Sequence, residues 1–347
     1  MKKCIVLDLD NTLWGGIIGE DGLDGIKLSL SNPGASFIAF QQALLDLQSN
    51  GVILAVNSRN NYDEAMRAIR THPNMILKEL HFAAFRINWA DKADNLKEIA
   101  SEINIGLDSI VFLDDDPANR AMVREFLPEV EVPEMPANPS DYTKFLISLP
   151  YFKTTAVTDE DKMRGNYYVT ERLRKEAEKS HKTKESFLKD LGMEIYVSEN
   201  DRSAASRLSQ MTKKTNQFNI DKQPFTEEEI IGYILSPNHK IFHAKAADKF
   251  GDYGIVIFAL ANTAGENWHI KSLLMSCRII GRGVETAFLH AISQKAQRTG
   301  AKKITIGFKK SGQNHPAEEF VKKYFNDKMA SIDGFTNPPS WINIRLL

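Results

Sequence analysis

The first part of the chain alternates short apolar runs with amphipathic stretches, and this alternation constrains its fold more than any other feature. The pattern predicts strands at 4–9, 52–57, 80–87 and 109–113 and helices at 36–50, 61–71 and 92–104. Continuous apolar strands separated by helices are typical of a parallel sheet that is covered on both faces. The sequence therefore predicts an α/β domain over residues 1–150.

The second half of the chain has a different order of elements. A proline-punctuated connector at 128–161 and a highly charged helical stretch at 159–191 come first. Strands are then predicted at 194–200, 240–247, 253–262, 267–275, 302–308 and 341–347, and helices at 201–214, 283–298 and 316–325. Consecutive strands followed by helix–strand alternation favour an α+β domain around a mixed sheet. We therefore predict a helical, charged connector at 151–190 and a second domain at 191–347.

Composition and charge exclude some classes of function and indicate a cellular compartment. The 347 residues carry a formal net charge of −1, so no field of the whole protein draws it to nucleic acid or to an anionic membrane. No apolar stretch approaches the roughly 20 residues that span a bilayer. Acidic residues interrupt the apolar run at the N-terminus, unlike in a signal peptide. Two cysteines indicate a reducing compartment, so we expect a cytoplasmic protein that binds neither nucleic acid nor membranes.

Acidic residues follow two of the apolar strands. Asp8 and Asp10 stand two positions apart in VLDLDNT, and Asp114 and Asp115 end the run VFLDDDP. Alternate side chains of a strand point to the same side, so Asp8 and Asp10 can face one pocket. Carboxylates this close repel each other unless they share a proton or a cation, and Mg²⁺ prefers such oxygen ligands. The pattern predicts a magnesium site at the end of the sheet.

Two further polar residues also lie directly after a predicted strand or at the start of a predicted helix. Ser58 follows the strand at 52–57, and Lys92 opens the helix at 92–104. A hydroxyl, an ammonium group and a metal are the groups that stabilise phosphoryl oxygens. Each residue taken singly is explained as a turn, cap or surface residue. The two residues and the aspartates nevertheless follow one another in a fixed order next to predicted strands and helix starts, and this order as a whole favours a site for phosphoryl transfer.

The motifs VLDLDNTLWGGIIGEDG, NSRN, INWADKADNL and VFLDDDP resemble the haloacid dehalogenase superfamily of phosphatases, and within it the FkbH-like proteins. The resemblance implies that Asp8 attacks phosphorus and that Asp10 protonates the leaving oxygen and then deprotonates water. It implies Mg²⁺ held by Asp8, the backbone carbonyl of Asp10 and Asp115, with Asp114 behind them. Asn57 is expected to matter little. The residues expected to bind substrate phosphate are Asn11, Thr12, Ser58, Arg59, Asn60 and Lys92.

The spacing of these motifs leaves no room for a large insertion. About 45 residues separate the first strand from Ser58, and about 33 separate Ser58 from Lys92. Both are too few for a cap domain of ordinary domain size. We therefore expect a capless, Rossmann-like haloacid dehalogenase domain. Its open site suits a substrate presented by a macromolecule, or a site covered by the second domain.

A second motif, MSCRIIGRGVE at 275–285, joins a predicted strand to a predicted helix. Glycines at such a turn let backbone N–H groups approach a phosphate at the helix N-terminus. The motif is similar to the pyrophosphate loop of Gcn5-related N-acyltransferases, and a plain strand–helix turn is the alternative. The resemblance implies an acyltransferase-like second domain that binds coenzyme A or phosphopantetheine through Arg278, Gly281, Arg282 and Gly283.

Cys277 lies beside this loop, and two interpretations stay open. It is either a small buried residue or an acyl acceptor whose thiolate is favoured by the neighbouring arginines. Cys4, in contrast, is expected in the core.

The likeness to FkbH-like proteins continues in TNQFN at 215–219 and DKFGDYGIV at 248–256, and so covers nearly the whole chain. Candidates for holding a tethered acyl group, with turn and cap roles as the alternative, are Asn216, Gln217, Asp252 and Arg278.

The resemblance implies a phosphatase and glyceryl transferase. A glyceryl group from 1,3-bisphosphoglycerate, a phosphorylated three-carbon acyl donor, would acylate a thiol and lose its remaining phosphate at the Mg²⁺ site. It would then pass to the phosphopantetheine thiol of an acyl carrier protein. Two alternatives stay open: a stand-alone small-molecule phosphatase with a structural C-terminal domain, and an acyl-carrier-binding protein whose phosphatase site is silent.

Overall fold

The computed structural model describes residues 2–152, 159–325, 329–331, 335 and 337–347. The chain forms two compact units, Met1–Glu176 and Ala177–Leu347. The predicted division at 150 and 190 stays a prediction, and residues 153–158 of the predicted connector lie outside the described residues. The strands are β1 (Cys4–Leu7), β2 (Ile53–Ser58), β3 (Phe82–Ile87), β4 (Ile110–Leu113), β5 (Met193–Glu199), β6 (Phe218–Asn219), β7 (His239–Asp248), β8 (Gly251–Asn262), β9 (Asn267–Met275), β10 (Lys303–Ile306), β11 (Met329–Ser331) and β12 (Ile342–Leu346).

The helices separate these strands in the first unit and cover the sheet in the second. They are α1 (Ile18–Gly25), α2 (Gly34–Ser49), α3 (Tyr62–Thr71), α4 (Lys92–Glu102), α5 (Pro117–Phe126), α6 (Tyr142–Ser148), α7 (Asp159–Ser180), α8 (Lys184–Leu191), α9 (Ala205–Lys214), α10 (Glu227–Leu235), α11 (Val284–Arg298) and α12 (His315–Tyr324). The charged stretch predicted as a single helix is divided into α7 and α8. Thr183 is the N-cap of α8, because its side chain accepts a hydrogen bond from the backbone N–H of Ser186.

The first unit contains a parallel sheet in the order β3-β2-β1-β4. Alternation along β1 places Ile5 and Leu7 in a core with α2 and α3, and Cys4 and Val6 in a core with α4 and α5. Both faces of the sheet are therefore buried, which is why its strands are apolar throughout. The predicted α/β class is confirmed, and Cys4 lies in the core as expected.

The connections of this sheet hold no additional domain. The chain forms α1 and α2 between β1 and β2, and α3 with one short 3₁₀ turn between β2 and β3. These connections lie wholly within the described residues. The capless form of the unit is therefore confirmed.

Residues 128–150, interpreted from their prolines as a connector, are part of the first unit, so this interpretation is wrong. The backbone N–H of Phe112 donates to the carbonyl of Glu131 at 2.8 Å, which adds this segment to the sheet beside β4. Tyr142, Leu146 and Leu149 are buried in the core against α2. The spacing of these apolar residues on one helix face predicts packing on the core, and this signal decides the structure rather than the prolines.

The second unit is built on a mixed sheet in the order β11-β10-β9-β8-β7-β5-β12. Neighbours from β5 to β9 are antiparallel, whereas β9 pairs with β10 and β5 pairs with β12 in parallel. Helices α11 and α12 pack on one face, and α9 and α10 pack on the other. The predicted α+β class is confirmed. Among the described helices, none combines the length and apolar character required to cross a membrane.

Candidate active site

Polar groups of the first unit meet at the carboxyl ends of its parallel strands. Asp8 follows β1, Ser58 ends β2, Asp114 follows β4 and Lys92 begins α4. In open α/β sheets this edge is where ligands bind. A cavity of about 630 Å³ opens there. It is lined by Asp8, Asp10, Asn11, Ile17, Gly19, Glu20, Ser58, Arg59, Asn60, Asn61, Glu64, Trp89, Lys92, Asp115, Asp116 and Asn119.

Lys92 is the centre of a buried ionic network. Its Nζ donates to Asp8 Oδ1 at 2.6 Å, to Asp114 Oδ2 at 2.9 Å and to the carbonyl of Asn57 at 2.8 Å. The side chain is only 1% exposed. Burial lowers the pKa of Lys92, but Asp8 and Asp114 outweigh it and raise the pKa overall. Lys92 therefore remains an ammonium ion that orients Asp8.

Three carboxylates at this point carry more negative charge than Lys92 can balance. Asp8, Asp114 and Asp115 each offer an oxygen within 4.8 Å of the others. Burial first, and then repulsion by Asp8, raise the pKa of Asp114 despite Lys92. Burial, Asp8 and Asp114 raise the pKa of Asp115 to about 7. A hard divalent cation would remove this repulsion, so the oxygen donors present fit Mg²⁺.

The two aspartates behind β4 differ in how many of their oxygens are engaged. Asp114 is fully buried and accepts from Lys92, from the Asp116 N–H at 2.9 Å and from Asn119 Nδ2 at 3.2 Å. Asp115 accepts from the Thr12 hydroxyl, at 3.4 Å. Asp115 therefore keeps more oxygen lone pairs for an added cation, and Thr12 is engaged with Asp115.

Asp10 is held by three N–H donors. Its Oδ1 accepts from Trp14 Nε1 at 2.8 Å and from the Ile18 N–H at 3.0 Å, and its Oδ2 accepts from Asn60 Nδ2 at 3.0 Å. Asn60 also donates to the hydroxyl of Ser58. Asn60, which the sequence led us to expect on the phosphate, thus holds Asp10. Asn11 and Arg59 line the cavity.

Trp14 is a site residue that sequence reasoning missed. The chain turns back on itself after β1, where Asn11 takes a left-handed conformation (φ 52°) that asparagine tolerates. This turn brings the buried indole of Trp14 to Asp10, four residues earlier. A tryptophan directly behind an acidic turn was the available signal, because a buried indole N–H requires an acceptor.

Other residues that support the site were missed as well. Asn57, expected to matter little, is buried; its Nδ2 donates to the Lys92 carbonyl at 2.9 Å and its Oδ1 accepts from Asn95 at 3.0 Å. This amide fixes the start of α4. Tyr142 donates its hydroxyl to the Asn11 carbonyl at 3.1 Å, and burial raises its pKa to about 12.

Within the second unit, the structure places Cys277 in a short 3₁₀ turn, Cys277–Ile279, between β9 and α11. Its side chain is exposed, so the interpretation of a buried residue is wrong. Gly281 and Gly283 have left-handed φ angles of 81° and 86°, which explains the glycines of this loop. Gly283 caps α11.

The remaining candidates of the second unit lie near that end of the sheet or in turns. Asn216 and Gln217 are exposed and precede β6, which pairs with the end of β9 just before Cys277. Arg278 Nε donates to the Ser276 hydroxyl at 3.1 Å, and Arg282 bonds to the hydroxyl of Tyr253. These arginines are thus engaged within the unit.

Asp252 has the turn role that was weighed as its alternative. Its Oδ1 accepts from the Gly254 N–H at 2.6 Å.

Trp341 covers the glycine loop, because its Nε1 donates to the Arg282 carbonyl at 2.9 Å. A Cβ atom on Gly283 would lie 2.9 Å from Cγ of the Pro339 ring, so side-chain packing as well as the left-handed conformation favours glycine there.

The parallel sheet, the buried lysine and the acidic cluster define a phosphohydrolase-type α/β domain without an inserted cap domain. No protein-family model matches the chain. A HAD-like hydrolase superfamily protein of Schizosaccharomyces pombe is 31% identical over 138 residues, which are 35% of this chain and 80% of that protein. The chain belongs to the HAD-like hydrolase superfamily.

Two solved structures extend the comparison. The N-terminal part of protein BF1531 from Bacteroides fragilis, which contains a phosphatase domain complexed with Mg, is 46% identical, with a TM-score of 0.44. That match covers 45% of this chain and spans only 42% of the solved chain. The ribosomal-protein-S18-alanine N-acetyltransferase of Escherichia coli is 12% identical, with a TM-score of 0.28, over 37% of this chain and 75% of that chain. Membership of the FkbH-like branch stays a prediction.

Proposed function

We propose that the first unit is a Mg²⁺-dependent phosphatase whose nucleophile is Asp8. The observation that carries this proposal is the 2.6 Å contact between Lys92 and Asp8, within a cluster of carboxylates at the end of a parallel sheet. Asp8, Asp115 and the carbonyl of Asp10 would hold the ion, with Asp114 fixed behind them by Lys92. When bound, Mg²⁺ supplies positive charge that offsets the phosphoryl oxygens.

The side chains support a two-step displacement. An oxygen of Asp8 attacks phosphorus, the bond from phosphorus to the leaving oxygen breaks, and Asp10 gives its proton to that oxygen. Asp10 then takes a proton from a water molecule, which attacks the aspartyl phosphate and releases inorganic phosphate. Lys92 offsets phosphoryl charge. Trp14, Ile18 and Asn60 hold Asp10 in place for both proton transfers.

For the substrate, we propose a phosphorylated three-carbon acyl group that is tethered through a thioester. The Cys277 thiolate would attack the acyl carbon of 1,3-bisphosphoglycerate, and the carbon–oxygen bond to the acyl phosphate would break. After the first unit removes the second phosphate, the thiol of an acyl carrier protein would displace Cys277 from the glyceryl group. The exposed thiol and the capless phosphatase site support this proposal.

The test is mass spectrometry of the intact protein together with an assay of released phosphate, after incubation with 1,3-bisphosphoglycerate. We expect a covalent glyceryl or phosphoglyceryl adduct that is absent in Cys277→Ala. Asp8→Asn is expected to accumulate the phosphorylated adduct, because only the first unit removes that phosphate. An adduct that persists in Cys277→Ala would contradict the assigned acyl acceptor, and unchanged phosphate release in Asp8→Asn would contradict the nucleophile.

The second candidate is a stand-alone phosphatase with a structural C-terminal unit. It is favoured by the contacts of Arg278 and Arg282 within the unit and by the packing of Pro339 and Trp341 on the glycine loop. The same assay separates the candidates. Turnover of a small phosphate ester that is unaffected by Cys277→Ala, with no adduct on the wild-type protein, supports the second candidate. Binding of a carrier protein without any phosphate release supports a silent phosphatase site.

A further inference from the structure

Arg120 is a buried cation in the first turn of α5, the helix that follows the loop carrying Asp114 and Asp115. Its side chain is only 6% exposed. Arginine is rarely buried to this extent, and the positive end of the helix dipole disfavours a cation in the first turn of a helix. Neither solvation nor the stability of α5 therefore explains where this side chain lies. The explanation is in the groups that it contacts.

The guanidinium group of Arg120 joins two successive backbone carbonyls of the acidic loop. Its Nη1 donates to the carbonyl of Asp114 at 2.8 Å and to that of Asp115 at 2.7 Å. The planar fork of arginine holds several acceptors in a fixed geometry, which the single ammonium group of lysine does not. One side chain thus fixes the backbone of both aspartates.

A carboxylate from the segment 128–150 holds the other side of this guanidinium group. Arg120 Nη2 and Nε donate to Glu134 Oε2, at 2.9 Å and 3.2 Å. Arg124, one turn further along α5, approaches Glu134 Oε1 at 2.5 Å and donates to the carbonyl of Val132. The position of Arg120 is therefore determined by the segment that its prolines led us to interpret as a connector.

The acidic loop needs a restraint because of the charges that it carries. Asp8, Asp114 and Asp115 each offer an oxygen within 4.8 Å of the others, and like charges this close repel each other. In the metal-free protein this repulsion favours movement of the loop after β4 away from Asp8. A restraint on the backbone of the loop keeps the carboxylates together before the ion arrives, so that binding carries a smaller cost of ordering.

We propose that Arg120 is a positioning residue for the metal site: it holds the backbone of Asp114 and Asp115 so that their carboxylates stay in the cluster, ready for a divalent cation. This inference rests on the proposed Mg²⁺ site and adds to it a group that contacts neither the ion nor the substrate. Charge alone predicts the opposite effect, because a cation close to the cluster repels Mg²⁺. The sign of the effect therefore separates positioning from charge.

The test is calorimetric titration of the full-length protein with Mg²⁺ in the absence of substrate. Arg120→Gln is expected to raise the Kd of Mg²⁺ about tenfold, the usual effect of losing a group that orients a metal ligand. Arg120→Lys keeps the charge without the fork, so its Kd should stay close to that of Arg120→Gln. Arg124→Gln is the matched control, because Arg124 shares the helix and the partner Glu134 but bonds to Val132 instead of the acidic loop. Its Kd should equal that of the wild-type protein.

An unchanged or lower Kd in Arg120→Gln overturns the inference, and so does an equal rise in Arg124→Gln. Circular dichroism shows whether each variant is folded. Glu134→Gln decides the question if Arg120→Gln does not fold, because the Glu134 side chain is 67% exposed and the fold should tolerate the change. Its Kd should rise severalfold, since Arg120 loses the carboxylate that holds it, and a wild-type Kd in this variant overturns the inference.

Hydrogen exchange of the metal-free protein separates this inference from the proposed function. The backbone N–H of Asp116 donates to Asp114 Oδ1 at 2.9 Å, so exchange at this amide reports on the loop. We expect peptides that cover 113–119 to exchange faster in Arg120→Gln than in the wild-type protein or in Arg124→Gln. If the wild-type protein neither binds Mg²⁺ nor releases phosphate, the proposed function fails, while faster exchange in Arg120→Gln alone still supports the positioning role. Unchanged exchange refutes that role.

Discussion

At the scale of single residues, Asp10 shows how neighbours prepare a group for proton transfer. Two N–H donors on one oxygen and one on the other fix the carboxylate in a single orientation. Trp14 contributes its donor from a fully buried side chain. Its role is positional, because it contacts Asp10 and has no place in the bonds that form or break.

Replacing Trp14 with phenylalanine should lower kcat by about tenfold or more, because Asp10 loses an orienting donor and proton transfer contributes roughly 10²–10⁴-fold to such rates. The phosphatase pH profile should change shape, and the KM should change little. Trp268→Phe is the matched control, since it shortens another buried tryptophan in the second unit. If both variants lower kcat equally, Trp14 has no specific role.

Asp115 should make the stability of the metal-free protein depend on pH. Its pKa is raised from 3.8 to about 7 in the folded state by burial and by Asp8 and Asp114. Between these values the folded protein keeps a proton that the unfolded chain has lost, so the free energy of unfolding falls as pH rises from about 4 to about 7. The prediction is tested by measuring the free energies of unfolding of the wild-type protein and of Asp115→Asn over this pH range, in the presence of a chelator.

The Asp115→Asn protein should lack this component of the pH dependence, and Asp46→Asn, a change at an exposed site, should retain it. Parallel pH curves for all three proteins would contradict the prediction.

At the scale of elements, the start of α4 determines where Lys92 stands. Asp91 caps the helix. The backbone carbonyl of Asn57 accepts a hydrogen bond from Lys92 Nζ, and the side-chain amide of Asn57 donates one to the backbone carbonyl of Lys92. The lysine is thus held at both its backbone and its ammonium group. Helix caps here serve the active site as well as stability.

Replacing Asp91 with alanine should lower the free energy of unfolding by about 1 kcal/mol, the usual effect of losing an N-cap. It should also lower phosphatase activity, because Lys92 loses its fixed backbone position. Thr183→Ala removes the comparable cap of α8 in the second unit, and should cost similar stability without changing phosphatase kcat. Equal activity of the two variants, measured together with their denaturation curves, would show that the cap of α4 acts on stability alone.

At the scale of the whole molecule, the acidic cluster belongs to the first unit alone, so the effect of Mg²⁺ should be confined to that unit. Mg²⁺ at a hundred times its Kd should raise the free energy of unfolding of the first unit by about 2.7 kcal/mol, because it binds the folded state. Calorimetry with and without the ion should show one transition moving and the other constant. In Asp115→Asn the shift should shrink, and a shift of both transitions would contradict the expectation.

The sequence by itself determined the fold class of both units and the position of the acidic site. Apolar runs specify parallel strands wherever they alternate with helices, and carboxylates directly behind such runs must come together at one edge of the sheet. Asp8, Asp10, Ser58, Lys92 and the Asp114–Asp115 pair could therefore be named from their common order, because each follows a strand or starts a helix that the pattern predicts. The choice of Asp115 as the metal ligand came from the family resemblance.

Only the tertiary structure decided which of these groups contact each other. Lys92 meets Asp8 across 84 positions of the chain, and Tyr142 meets Asn11 across 131. The burial of Asn57, the packing of 128–150 and the exposure of Cys277 likewise depend on neighbours that are distant in sequence. Spacing along a chain fixes which face a residue lies on, but burial and hydrogen-bond partners are set by the elements that pack against that face.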